Sequence, residues 1–133
     1  MRSKATIAAA LLIAMAAGAM AQEGSQNKAL RFTLTTAQVG YAVLNGLDFG
    51  MSYVALKNES IFEANPSTAS LVRNPLAGTA WTLATSAGFI LASNFLYKRN
   101  RTLGTILAVA GLAFKAWVVV HNFKTIDSLG AWK

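Results

Sequence analysis

The sequence predicts an all-α protein, an integral membrane bundle of three helices behind an amino-terminal signal peptide. Three observations carry this reading. Apolar residues make up 54% of the 133 residues and charged residues only 13%, against about 25% charged in an ordinary soluble domain. The apolar residues gather into three long runs, 32–56, 76–97 and 102–123, and about 20 helical residues cross a hydrocarbon core of about 30 Å. Finally, the chain lacks the alternating pattern and the strand number that a membrane barrel needs, which leaves the helix as the structure that satisfies its own backbone in lipid.

Composition also excludes several function classes. Cys is absent and His121 is the single histidine, so disulfides, iron–sulfur clusters, thiolate zinc sites and multi-His metal sites are ruled out, and no cofactor is expected. The net charge of +7 raises nucleic acid as a partner, but the distribution argues against it. Only Lys98-Arg99-Asn100-Arg101 forms a cluster, and it lies between two apolar runs. A basic groove interleaved with aromatic residues is missing. These charges read as the flanks of membrane segments.

Residues 1–21 read as the signal peptide. Arg2 and Lys4 give a basic start, an Ala-rich uncharged run follows, and Ala19-Met20-Ala21 supplies small residues ahead of cleavage. The alternative is an uncleaved anchor, for which the apolar run is short. Cleavage would leave a membrane domain of residues 22–133.

The first run is the most polar, with Thr33, Thr35, Thr36, Gln38, Asn45 and Asp48. A central Asp costs roughly 2.5–3.5 kcal/mol on insertion and each Leu or Val returns only about 0.3–0.6, so this helix needs its neighbours. The second run is uncharged, with Trp81 and Tyr97 placed as interfacial anchors and Lys98 and Arg99 just beyond. The third holds Lys115 and His121. Residues 57–75 form a polar loop with both prolines, each after an Asn, a turn-forming dipeptide. Small residues recur at about one-turn spacing: Ala42, Gly46 and Gly50; Ala80, Ala84, Gly88 and Ala92; Gly104, Ala108 and Gly111. Such stripes favour close helix packing in lipid, either within the bundle or as a seam between copies.

Orientation stays open. A cleaved leader puts Lys57, Arg73, Lys124 and Lys133 inside and Lys28, Arg31, Lys98, Arg99 and Arg101 outside. The densest basic cluster then sits on the side that the positive-inside rule disfavours.

Asp48 and Lys115 are the costly residues. Asn45 lies one turn before Asp48, with Tyr41 and Ser52 expected on the same stripe. Asn122 lies seven residues after Lys115. An ionisable residue within a span is a functional candidate by default; the structural alternatives are an ion pair or a Lys that snorkels. Three successive spans make the first and third parallel, which brings Asp48 and Lys115 to similar depth, so an ion pair is expected. His121 reads as an interfacial polar residue, and Glu59 and Glu63 as a solvated turn rather than a carboxylate pair.

Taken in order, Asn45-x-x-Asp48 on a first span, Glu63-x-Asn65-Pro66 in the following loop, two spans about a basic turn, and Asn122 near the end of the last resemble a family of small bacterial membrane proteins known as a domain of unknown function. The resemblance covers residues 39–123. It implies a three-helix membrane domain in which Asn45, Asp48, Glu63, Asn65 and Pro66 matter together, and it supplies no activity. The signal peptide departs from the family pattern, so the family's orientation does not carry over.

The functional expectation is a non-enzymatic membrane protein of the bacterial inner (cytoplasmic) membrane, an accessory or assembly subunit of a larger complex. Its partners would be lipid, other membrane subunits or further copies of itself. The alternative is a small oligomeric ion or proton channel or transporter that uses Asp48.

Overall fold

The computed structural model describes residues 26–56, 70–71 and 73–130. The expected signal peptide and the loop residues Glu63, Asn65 and Pro66 lie outside them. The described residues form three helices and no strand: α1 (Gln26–Leu56), α2 (Pro75–Arg99) and α3 (Arg101–Ser128). Each takes in one of the apolar runs. Of the three, α2 and α3 are long and apolar enough to cross a membrane. α1 is long enough but carries the polar residues named above.

The helices run up, down and up. Tyr97, at the end of α2, donates its hydroxyl to the Asn27 carbonyl at the start of α1 (3.4 Å). Thr105 near the start of α3 donates to the Leu30 carbonyl (3.4 Å). Three helix ends therefore meet at one end of the bundle, and α1 and α3 are parallel. α1 and α3 also make the most extensive contact of the three pairs. Leu34, Ala37 and Ala108 form a small buried cluster there, with Phe89, Tyr97 and Leu112 packed around it.

The ends of the helices follow from local chemistry. Asn74 caps α2, its Oδ1 accepting from the backbone N–H of Leu76 (3.1 Å) and Ala77 (3.2 Å), with Pro75 at the first position where no N–H is needed. Asn100 alone joins α2 to α3. Its backbone N–H donates to the Leu96 carbonyl (2.7 Å), closing α2, and its side chain accepts from Leu103 N–H (3.0 Å), opening α3. So tight a corner forces the helices together, and a Cβ on Gly104 would fall on the backbone of Tyr97. Gly130, at φ +69°, ends α3 by turning left-handed.

The small-residue stripes divide. That of α3 packs inside: Ala108 is fully buried and a Cβ on Gly111 would strike the Phe89 ring. Those of α1 and α2, read from sequence as packing surfaces, largely face outward. Gly46, Gly50 and Gly88 have nothing within 4 Å of a built Cβ, and Ala80, Ala84 and Ala92 are exposed. Large apolar side chains flank them, including Leu83 at 66% and Phe95 at 69% exposure. Polar side chains occupy α1's contact with α2 instead.

Candidate functional site

α1 is the organising element, because its polar residues point to both neighbours. Toward α2 it presents two amides two turns apart. Gln38 Nε2 donates to Ser93 Oγ (2.7 Å) and Asn94 Oδ1 (3.0 Å), and lies 3.4 Å from the Ile90 carbonyl. Asn45 Nδ2 donates to Thr85 Oγ1 (2.8 Å) and Ser86 Oγ (3.0 Å), and lies 3.1 Å from the Thr82 carbonyl. Gln38, Asn45, Ser86 and Ser93 are all buried, Ser93 completely. Ser93 and Thr85 can accept because their own hydroxyl protons go to carbonyls one turn back, Phe89 (2.8 Å) and Trp81 (2.9 Å). Between the two amides, Tyr41 stacks on Phe89 with ring centroids 3.9 Å apart.

Toward α3, α1 presents Asp48. Lys115 Nζ donates to Asp48 Oδ2 at 2.5 Å, and Asn122 Nδ2 donates to Asp48 Oδ1 at 2.7 Å. Both carboxylate oxygens are thus occupied. The pair is mostly buried, with 13% of the Lys115 side chain and 18% of the Asp48 side chain exposed. The ion pair expected from span geometry is present, though the two residues do not share a level. A Cβ on Gly40 would meet Leu112, and Leu30 meets Thr105, and this register puts Asp48 level with Asn122. Lys115 starts about two turns closer to the α2–α3 corner and reaches Asp48 with its extended stem, while Asn122 approaches directly.

Asn45 and Asp48 do not share one face as their spacing had suggested. One turn apart, they straddle the ridge of α1 that separates its two neighbours: Asn45 is committed to α2 and Asp48 to α3. Tyr41 goes with Asn45. Sequence reading passed over Gln38, Ser86, Ser93 and Asn94 as site residues. A signal was available, because Gln38 and Asn45 on α1, and Ser86 and Ser93 on α2, are each two turns apart, so two polar pairs match across an antiparallel interface.

His121 is exposed and stacks on Trp117, with ring centroids 5.5 Å apart, and Phe114 adjoins the same Trp. Among the described residues no group of three His, Cys, Asp or Glu could hold a metal ion. What this arrangement does chemically is neutralise and fix: it pairs Asp48 with Lys115 and gives the NH2 groups of two amides their acceptors, which locks the pairing and register of three helices. Among the described residues one buried side-chain oxygen is left over, Thr33 Oγ1, which has no hydrogen-bond partner there.

Set against known proteins, the chain matches no family model, no curated protein and no solved structure.

Proposed function

We propose that the chain is a non-enzymatic, three-span protein of the bacterial inner membrane, an accessory or assembly subunit that packs against a larger membrane complex. The observation that carries this is an inverted distribution of polarity. Gln38, Asn45, Ser86, Ser93 and Thr105 are buried, while Leu76, Leu83, Leu91, Phe95, Phe114 and Trp117 are exposed. In water each large apolar side chain so placed forgoes up to about 1.5–3 kcal/mol of burial, and large exposed apolar patches are rare on soluble monomers. In lipid the same surface carries no penalty, and association rests on small residues and interhelical hydrogen bonds.

A structural rather than catalytic use of Asp48 is supported by the occupation of both its oxygens within the chain. Packing against a partner helix is supported by the open small-residue faces of α1 and α2. In this reading residues 1–21 are a cleaved leader, and intact mass of the membrane-extracted protein tests that: a mass beginning at Gln22 is expected, and a retained leader defeats it.

Two experiments test the main reading. Absence of native Cys makes single-cysteine labelling clean. Arg73→Cys and Arg99→Cys lie at opposite ends of α2, so an impermeant reagent should label one and not the other in sealed cells. Equal labelling defeats the spanning model. Purification in mild detergent should then bring stoichiometric companions, and a monodisperse protein without them defeats the accessory role.

The second reading is an oligomeric ion or proton path through Asp48. It is favoured by the residual exposure of the Asp48 and Lys115 side chains, and its signature would be liposome flux abolished by Asp48→Asn.

A further inference from the structure

We infer that the end of the bundle where α1 begins and α2 turns into α3 is a binding surface for anionic phospholipid headgroups. The inference rests on the membrane reading above and adds a ligand to it. The surface is assembled from all three helices. Lys28 and Arg31 stand on the first turns of α1, Lys98 and Arg99 on the last turn of α2, and Arg101 opens α3; all five are exposed. The contacts of Tyr97 with Asn27 and of Thr105 with Leu30 bring these turns to one level, and the single-residue corner at Asn100 keeps the last three within a few positions of one another.

The charge is uncompensated. Among the described residues the acids are Asp48 and Asp127. Asp48 is engaged by Lys115 and Asn122, and Asp127 lies at the far end of α3. That far end is mixed in sign among the described residues, with Arg73 just before α2 and Lys124 three residues before Asp127 on α3. Five cations against no acid among the described residues make one end of the bundle a complement for a phosphodiester, and the other end serves as an internal control.

The placement selects a lipid over a soluble anion. Directly beneath the cations lie the exposed apolar side chains Phe32, Phe95 and Leu103. A ligand that satisfies both layers carries a phosphate above and acyl chains below. Tyr97 stands at the same boundary, the position where aromatic residues with a polar tip gather in membrane proteins. Each Lys or Arg near a charged membrane surface contributes about fivefold in attraction to anionic lipid.

The test is native mass spectrometry of the detergent-solubilised full chain, titrated in parallel with phosphatidylglycerol and phosphatidylcholine. Phosphatidylglycerol adducts should exceed phosphatidylcholine adducts by at least about tenfold. The triple variant Lys98→Gln, Arg99→Gln, Arg101→Gln should lose most of this preference, and adding Lys28→Gln and Arg31→Gln should bring it to the phosphatidylcholine level. Arg99→Lys with Arg101→Lys should keep the preference, which separates lost charge from lost folding, and Arg73→Gln with Lys124→Gln at the far end should keep it too. Equal retention of the two lipids overturns the inference, as does a triple variant whose preference is undiminished or a five-site variant that keeps one. Alkaline carbonate extraction of the same cells separates this from the parent reading. A chain that stays in the membrane without preferring phosphatidylglycerol defeats only the lipid surface, and one released by carbonate defeats both.

Discussion

α1 is joined to its two neighbours by different chemistry. Toward α2 the bonds are neutral and redundant: each amide has three acceptors within reach, supplied by hydroxyls, one side-chain amide and backbone carbonyls. Toward α3 the main polar link is one carboxylate between one ammonium and one amide, beside the Thr105 hydroxyl on the Leu30 carbonyl and an apolar contact of Leu34, Ala37 and Ala108. Redundancy matters because a neutral donor that loses one acceptor has others nearby, whereas a charge that loses its counter-ion has no second one. The α1–α2 face should therefore yield by degrees, and the α1–α3 face should fail as a unit.

The largest expected effect tests the charged link. Asp48→Ala or Lys115→Ala strands a mostly buried charge and should cost about 3–5 kcal/mol of folding stability. The double variant should cost clearly less than the sum of the two. Unfolding in detergent, followed by circular dichroism, reads all three; strict additivity would sink the idea that the two residues act as a pair.

Next come the amides. Gln38→Ala and Asn45→Ala should each cost about 0.6–2 kcal/mol. They stand two turns apart, about 10 Å along the axis, so their costs should add. A loss as large as that of Asp48→Ala would erase the contrast between the two faces.

Two substitutions should act in the opposite direction. Thr33→Val removes a buried hydroxyl that lacks a partner and keeps the shape, so stability should rise by about 1 kcal/mol. Gly46→Ala adds a methyl group where nothing lies within 4 Å and should raise stability by about 0.5–1 kcal/mol. If Gly46→Ala instead disrupts companions that co-purify with the native protein, the outer face of α1 is the docking face, which sharpens the contrast further.

The two faces also differ in how far the sequence disclosed them. The Asp48–Lys115 link was legible because charges are rare in apolar runs and three spans fix the first and third as parallel. Asn122 was legible as a member of the Lys115 face. The α1–α2 clamps were not read as a site, since Ser and Thr are common in such helices and a single Gln carries little signal alone. Direction was the harder problem. A four-residue stripe of Gly and Ala marks a smooth face without saying which way it turns, and Gly46 and Gly88 turned outward. In a soluble helix the large apolar residues would have supplied that direction, but here Leu83 and Phe95 are exposed while Ser86 and Ser93 are buried. The dependable pointer is the polar residue that needs a partner.

The separation between Asp48 and Lys115 also has a consequence in time. Their positions differ by 67 residues, and a ribosome adds roughly 5–20 residues each second. The carboxylate is therefore made some 3–13 s before its cation, by that same rate. Through that interval Asp48 lacks the Lys115 ammonium, so its charge must stay hydrated or be shielded by another group. Only when α3 emerges can the first helix settle in the bundle, so a helix made later commits one made earlier.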